Sequence, residues 1–299
     1  MYSLNIPYFN LDHIYKSGQV FTWIKCSDGK YIIKWHDKVV KAQQKGEHVF
    51  FSCSEEDFYE IWWDYFDLGT DYSVINNRYK YLNDEIRFKM NRCNGLHILR
   101  QDLFEVIIFS VLETATSIER VRQMISGICE KCGKRHVNSM SEVGVVKWYE
   151  FPTPEQILKN KNKLTSQDIG YKMEVIENIC QSIVDGWLDF DTLRLLETEE
   201  AIEYLMEFKG IGRKVAESIC LYGLHRMESF PIDTHMKQFF EREFKTTPEE
   251  WLEENVYETY YHKYAGYMRQ SIFYSELFPP KGIEDYGDIV VKKKGRKKK

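Results

Sequence analysis

The chain predicts an α+β fold in which a small antiparallel sheet precedes a helical body, and three observations carry that prediction. Between Gln19 and Cys53, aromatic and β-branched residues run between Asp-Gly and Lys-Gly turn signals. From Ser54 the apolar spacing changes from two residues to three and four. Everything from Asp102 to Phe278 then reads as short helices, so strands and helices are segregated rather than alternating.

The elements follow in order. GQVFTWIK, the turn at Ser27-Asp28-Gly29, KYIIKWH, KVVKAQQ, the Lys45-Gly46 turn and HVFFSC form a meander. SEEDFYEIWWDYF opens on a capping Ser54 followed by acids, and places Phe58, Ile61, Trp62 and Phe66 on one helical face. Helices are expected at 102–115, 117–132, 153–160, 172–186, 198–208, 214–224, 233–244 and 267–278, with Gly, Pro, Ser, Thr and Asp at their ends. The expected organisation is a β domain with flanking helices over 1–100, a two-part helical body over 101–279, and a basic, disordered tail over 280–299. No solenoid-type repeat is visible.

Composition narrows the class. In 299 residues, 43% hydrophobic and 29% charged is a soluble globular mixture, which excludes a disordered or collagen-like chain. No run reaches the roughly 18 to 20 apolar residues of a membrane span, and Met1–Asn10 lacks a leader pattern. The expectation is therefore a monomer away from membranes, cytoplasmic or in the nucleoid of a prokaryote and nuclear in a eukaryote. Seven cysteines scattered from Cys26 to Cys220 read as reduced thiols. Cys129 and Cys132, with His136 nearby, make half a zinc site, but no second pair completes it, so no metal is expected.

Charge initially argues against a nucleic-acid partner. The net is −5, yet seven of the 41 basic residues lie in Lys292–Lys299, leaving 34 basic against 46 acidic groups, a net of −12. Phosphate binding usually shows as a basic surface. The motifs reverse that inference.

Between Met206 and Phe240 a helix ends at Phe208, Gly210-Ile211-Gly212 follows, and a second helix starts near Arg213. The glycines allow a tight turn anchored by Ile211, and the exposed N–H groups at the second helix form an anion site suited to a DNA phosphate. A plain αα-hairpin with a glycine cap would share the Gly-Ile-Gly, so the neighbours decide. Lys214 sits in the first turn, where the dipole disfavours a cation and favours loss of its proton; a neutral lysine is a nucleophile toward a sugar C1′ and forms Schiff bases. Nineteen residues on, Asp233 in FPIDTHM is the expected N-cap of the next helix, an ionised carboxylate suited to stabilising an oxocarbenium-like centre.

At these residues the chain resembles the 8-oxoguanine DNA glycosylase/AP lyases of the helix–hairpin–helix glycosylase superfamily. SGQVFTW, ILRQDLFEVIIFS, GYKMEVI, FKGIGRKVAESICL, FPIDTHM and YAGYMRQSIFYS match the family's landmarks in order, from about Ser17 to Ser275. The resemblance implies a helix–hairpin–helix at about 199–224 and a catalytic aspartate loop at 229–236. It implies that Lys214 attacks C1′, releases the base and leaves a Schiff base that permits β-elimination, with Asp233 as the essential aspartate. Gly18 falls on the glycine whose carbonyl accepts the N7 hydrogen of 8-oxoguanine, Phe273 on the aromatic that stacks on the flipped base, and Pro231 on a residue lining the same pocket. Gly210 and Gly212 fall in the DNA-gripping hairpin, His235 on a histidine near the lesion's phosphate, and Tyr171 on a residue wedged into the duplex gap. Extrusion is required because C1′ and the base edge are unreachable inside the stack. The implied partner is double-stranded DNA containing oxidised guanine, and lysine chemistry needs no cofactor. Each residue also has a plain structural role: Phe273 as core, Asp233 as cap, Gly18 as turn, Tyr171 as the start of a helix.

Departures from the family bear on specificity. Ala115-Thr116-Ser117 stands where the family has an asparagine-rich stretch, Arg120 keeps one cytosine-reading arginine, and Lys172 replaces the other. Lysine cannot supply a bidentate fork. Arg269 aligns with the glutamine that reads the lesion's Watson–Crick edge, with Gln270 next to it and about 100° away around a helix. Relaxed discrimination of the opposite base is expected. A glycosylase for another damaged purine is the first alternative, and a noncatalytic DNA-binding hairpin the second; the joint presence of Lys214 and Asp233 argues against the latter.

Overall fold

The computed structural model describes residues 1–79, 81–140, 144–164, 169–257 and 259–279, so the basic tail lies outside the described residues. Period-two alternation folds the N-terminal region into a five-stranded antiparallel sheet of β1 (Tyr2–Asn5), β2 (Ile24–Lys25), β3 (Tyr31–Trp35), β4 (Lys38–Lys45) and β5 (His48–Phe51), in the order β1-β5-β4-β3-β2. The register sets Tyr31 against Ala42 and Ile33 against Val40, so one face turns inward as a buried layer with Val49 and Phe51. β1, four residues long, has too little alternation to be read from sequence.

One segment departs from the expected meander. GQVFTWIK contributes only Ile24 and Lys25 to the sheet; Ser17–Trp23 is a buried loop after α1 (Leu11–Lys16). A buried loop must satisfy its backbone without a ladder, and side-chain amides do so here. Gln19 donates to His97 O (2.8 Å) and accepts from Leu99 N (2.9 Å), while Gln101 donates to Gln19 O (2.9 Å). Freed from strand geometry, Gly18 takes φ +79.

The Ser54 hydroxyl accepts from Asp57 N and starts α2 (Glu55–Asp57), which continues through a π turn (Phe58–Trp62) into α3 (Trp63–Tyr65). Phe58, Trp62 and Phe66 are buried on one face. After α4 (Tyr72–Tyr79) and α5 (Asp84–Arg92) comes α6 (Leu103–Leu112), whose every residue is buried, making it the central helix of the body. α7 (Ile118–Cys132) is followed by an unexpected hairpin, β6 (Arg135–Met140) and β7 (Gly144–Tyr149). Its Trp148 packs on Ile32 of the N-terminal sheet. The remaining helices are α8 (Pro154–Asn160), α9 (Met173–Val184), α10 (Phe190–Leu195), α11 (Thr198–Met206), α12 (Arg213–Tyr222), α13 (Thr234–Phe244), α14 (Pro248–Leu252) and α15 (Ala265–Leu277).

Two hydrophobic cores result. Ile107, Ile108, Ile125, Ile176, Leu205, Ile211 and Ile219 belong to the middle of the chain, α6 to α12. The other core joins the sheet and α2–α5 to the C-terminal helices through Phe239, Phe240, Met268 and Ile272, each worth about 1.5–3 kcal/mol of burial. The second part of the helical body therefore shares its core with the sheet, and the chain returns from residue 221 onward to where it began.

Candidate active site

Between the two cores opens a cavity of about 550 Å³, of the size that holds small ligands. The first wall is the buried loop at Gly18. A Cβ there would sit 2.9 Å from Ile118 Cδ1 and 3.5 Å from Phe273 Cε1, and the backbone at φ +79 favours glycine at this approach to the Phe273 ring.

The second wall is the helix–hairpin–helix. Gly210 adopts φ +93, and a Cβ on it would lie 2.3 Å from Val175 Cγ1, so the turn requires glycine for both conformation and space. Ile211 is buried and its amide bonds Phe208 O (3.0 Å). Gly212 is the N-cap of α12 and supplies no side-chain acceptor, leaving the first-turn amides open. Lys214, in that turn, reaches the cavity and pairs with Glu113.

Glu113 is the C-cap of α6 and begins the third wall. The turn 113–117 contains no glycine, although Ala115 has φ +53, and it is held from a distance. Lys172 Nζ donates to Leu112 O (2.5 Å), Thr114 O (2.6 Å) and Thr116 Oγ1 (2.9 Å). At 4% exposure Lys172 faces inward, its ammonium tethering the turn from beneath. Burial pushes its ammonium down to about 8, Lys214 acting in the same direction and Glu113 opposing.

Asp233 caps α13, its Oδ1 accepting from Met236 N (2.9 Å), and its Oδ2 pairs with Arg269 Nη2 (2.5 Å). Burial would raise its carboxyl, but Arg269, the Met236 amide and Lys214 outweigh it and hold it below the usual range. Arg269, 4% exposed, also donates to Pro231 O (3.0 Å), Tyr222 Oη (3.1 Å) and Gln270 Oε1 (3.1 Å), and its guanidinium lies 4.7 Å from the Phe273 ring centre. Gln270 is fully buried, accepts from the Tyr222 hydroxyl and donates to Ser17 O (2.8 Å). Although about 100° apart around the helix, Arg269 and Gln270 both line the cavity and share one network through Tyr222. Burial pushes the Tyr222 phenol up to about 12, keeping it a donor.

Lys214, Asp233, Gly18, Phe273, Arg269, Gln270 and His235 converge on the cavity, with the His235 ring edge-on to Phe273 at 5.5 Å. Pro231 does not line it: its carbonyl is spent on Arg269 and Ile232 takes its place on the wall. Gly210, Gly212 and Arg120 lie outside the lining, Arg120 donating to Gln123 (3.3 Å) on α7, and the side chain of Tyr171 lies outside the described residues. Sequence reading missed Glu113 and Tyr222. An acid directly after an apolar helix, where the dipole disfavours it, was the available signal for Glu113. Among the described residues no three His, Cys, Asp or Glu side chains cluster as metal ligands, and no helix is long and apolar enough to cross a membrane.

Residues 1–107 match the family described as 8-oxoguanine DNA glycosylase, N-terminal domain. The N-glycosylase/DNA lyase of Saccharomyces cerevisiae is 27% identical over 163 residues, covering 50% of this chain and 42% of that protein. The chain spans about half the length of the curated relatives it matches. Among solved structures, MBOgg1 in complex with a low affinity DNA ligand aligns over 91% of this chain and 93% of its own with a TM-score of 0.81 and 26% identity. The Clostridium acetobutylicum 8-oxoguanine glycosylase/lyase, in complex with double-stranded DNA containing cytosine opposite 8-oxoguanine, aligns over 91% and 92% with a TM-score of 0.79 and 26% identity. In sequence over its first 107 residues, and in fold over nine-tenths of its length, the chain is similar to the 8-oxoguanine DNA glycosylases.

Proposed function

We propose that the chain is a DNA glycosylase with AP lyase activity that removes 8-oxoguanine from duplex DNA. The observation that carries this reading is the convergence of Lys214 and Asp233 on one cavity that also presents the Gly18 backbone and the Phe273 ring. A flipped purine stacks on Phe273 while the Gly18 carbonyl accepts the N7 hydrogen that only the oxidised base carries. The uncapped amides of α12 grip a phosphate, which explains how a body of net charge −12 binds DNA without a broadly basic surface. Lys214 attacks C1′, the base departs, and the resulting Schiff base permits β-elimination of the 3′ phosphate. Asp233, held ionised by Arg269, stabilises positive charge developing on the sugar.

Borohydride trapping on an 8-oxoguanine duplex tests the assignment. A covalent adduct forms with the native chain and is lost in Lys214→Ala; an adduct that persists overturns Lys214 as nucleophile. Base release without any adduct indicates a monofunctional enzyme that uses water.

A second reading, relaxed opposite-base specificity with a lesion range extending to other damaged purines, is favoured by two residues. Lys172 is committed to the 112–116 backbone, and Arg269 has donors only and none of a glutamine's acceptor capacity. Similar excision rates opposite C, T, G and A are expected, and a strong preference for C defeats this reading.

A further inference from the structure

We infer that Glu113 takes the proton from Lys214 and passes it to the departing base, acting as the proton carrier of the reaction proposed above, on which this inference rests. The two side chains are 101 residues apart in the chain and in direct contact, 27% and 23% exposed on the cavity side. Each carries the charge its own helix disfavours. Lys214 puts a cation in the first turn of α12, and Glu113 puts an anion at the C-cap of α6.

The other carboxylate of the cavity is not free to do this. Both Asp233 oxygens are engaged, one by the Met236 amide and one by the Arg269 guanidinium, and protonating it would strand a buried arginine. Two carboxylates in one site with opposite surroundings divide the work between a fixed charge and a mobile proton. The Glu113 backbone is clamped, since Thr116 N donates to Glu113 O (3.1 Å) and Lys172 grips the carbonyls on both sides, so the carboxylate stays within reach of Nζ.

The step balances. The Lys214 ammonium gives one proton to the Glu113 carboxylate, and the neutral amine forms the N–C1′ bond. The C1′–N9 bond breaks with its electron pair leaving on the base, and protonated Glu113 returns its proton to N9. Lysine ends as a secondary ammonium on C1′, the base leaves neutral, and Glu113 is again a carboxylate.

Single-turnover release of 8-oxoguanine by Glu113→Gln, with binding to an abasic-analogue duplex measured alongside, tests the assignment. We expect release to fall about 100-fold at neutral pH, within the usual range for a proton-transfer group, with binding unchanged. The groups facing the pair are Lys172 from the start of α9, Tyr222 and Arg269 near Glu113, and Asp233 near Lys214. All remain in the variant, so its rate rises with pH more steeply than that of the native chain as hydroxide replaces the lost acceptor. Added formate restores part of the activity of Glu113→Ala, which a purely structural role would not produce. Release by Glu113→Gln within a few-fold of native, or a Glu113→Ala defect indifferent to formate, overturns the inference. A native chain that releases no 8-oxoguanine defeats the proposed function instead, so the two failures are distinguishable.

Discussion

Two turns deliver the members of the Lys214–Glu113 pair, and they are built in opposite ways. The turn at 208–212 is held locally: Gly210 supplies φ +93, Ile211 anchors it, and its hydrogen bond spans three residues. The turn at 113–117 has no glycine, tolerates Ala115 at φ +53, and is held by Lys172 from 56 to 60 residues away. One turn is a property of its own residues; the other is a property of the fold. Each delivers one member of the Lys214–Glu113 pair, so the geometry of that pair depends on both kinds of support.

The remote support is the more sensitive of the two. Lys172→Met removes the ammonium that bonds Leu112 O, Thr114 O and Thr116 Oγ1, and we expect a loss of about 3 kcal/mol in urea unfolding. Because the folded-state value of Lys172 is depressed to about 8, the unfolded chain binds more protons between there and the ordinary lysine value of 10.5. Native stability therefore gains from Lys172 as pH rises through that window, and the gap between native and Lys172→Met widens. A constant gap would show that the ammonium pays no burial penalty.

At the local turn, Gly210→Ala forces a side chain into φ +93 and against Val175, for a loss of about 2 kcal/mol and weakened grip on duplex DNA at unchanged temperature. Retained stability would mean that the hairpin relaxes without cost. The mirror substitution has the smallest effect and the opposite sign. Ala115→Gly relieves a left-handed alanine, partly offset by the greater freedom of glycine in the unfolded chain, for a net gain of about 0.5 kcal/mol in thermal unfolding. A loss there would indicate that the methyl group packs against something the turn needs.

Legibility in the sequence follows the same division. The sheet meander, the Ser54 cap and the Asp233 cap depend on residues within a few positions of one another, and each is where the pattern places it. GQVFTWIK looked like a strand because its composition suits one, but burial beside Gln19 and Gln101 gave its backbone other partners. Arg269 and Gln270 are joined by Tyr222 of α12, a partner that no spacing along their own helix shows. That Lys172 holds the 112–116 turn rests on oxygens 56 to 60 residues away, which no local pattern shows.

Short-range patterns in the chain are enough to show which chemistry is available: a lysine at a helix start, an aspartate at a cap, a hairpin with open amides, and an α+β scaffold to carry them. Those features rest on local conformational preference, helix dipoles and apolar spacing, which act over one or two turns of chain. How the charges are paired depends on contacts between distant elements, with Glu113 on Lys214 across 101 residues, Arg269 on Asp233 across 36, and Lys172 under the 112–116 turn. The physical reason is that a buried or half-buried charge takes the nearest partner that folding brings to it, and which partner that is depends on how the two cores close on each other.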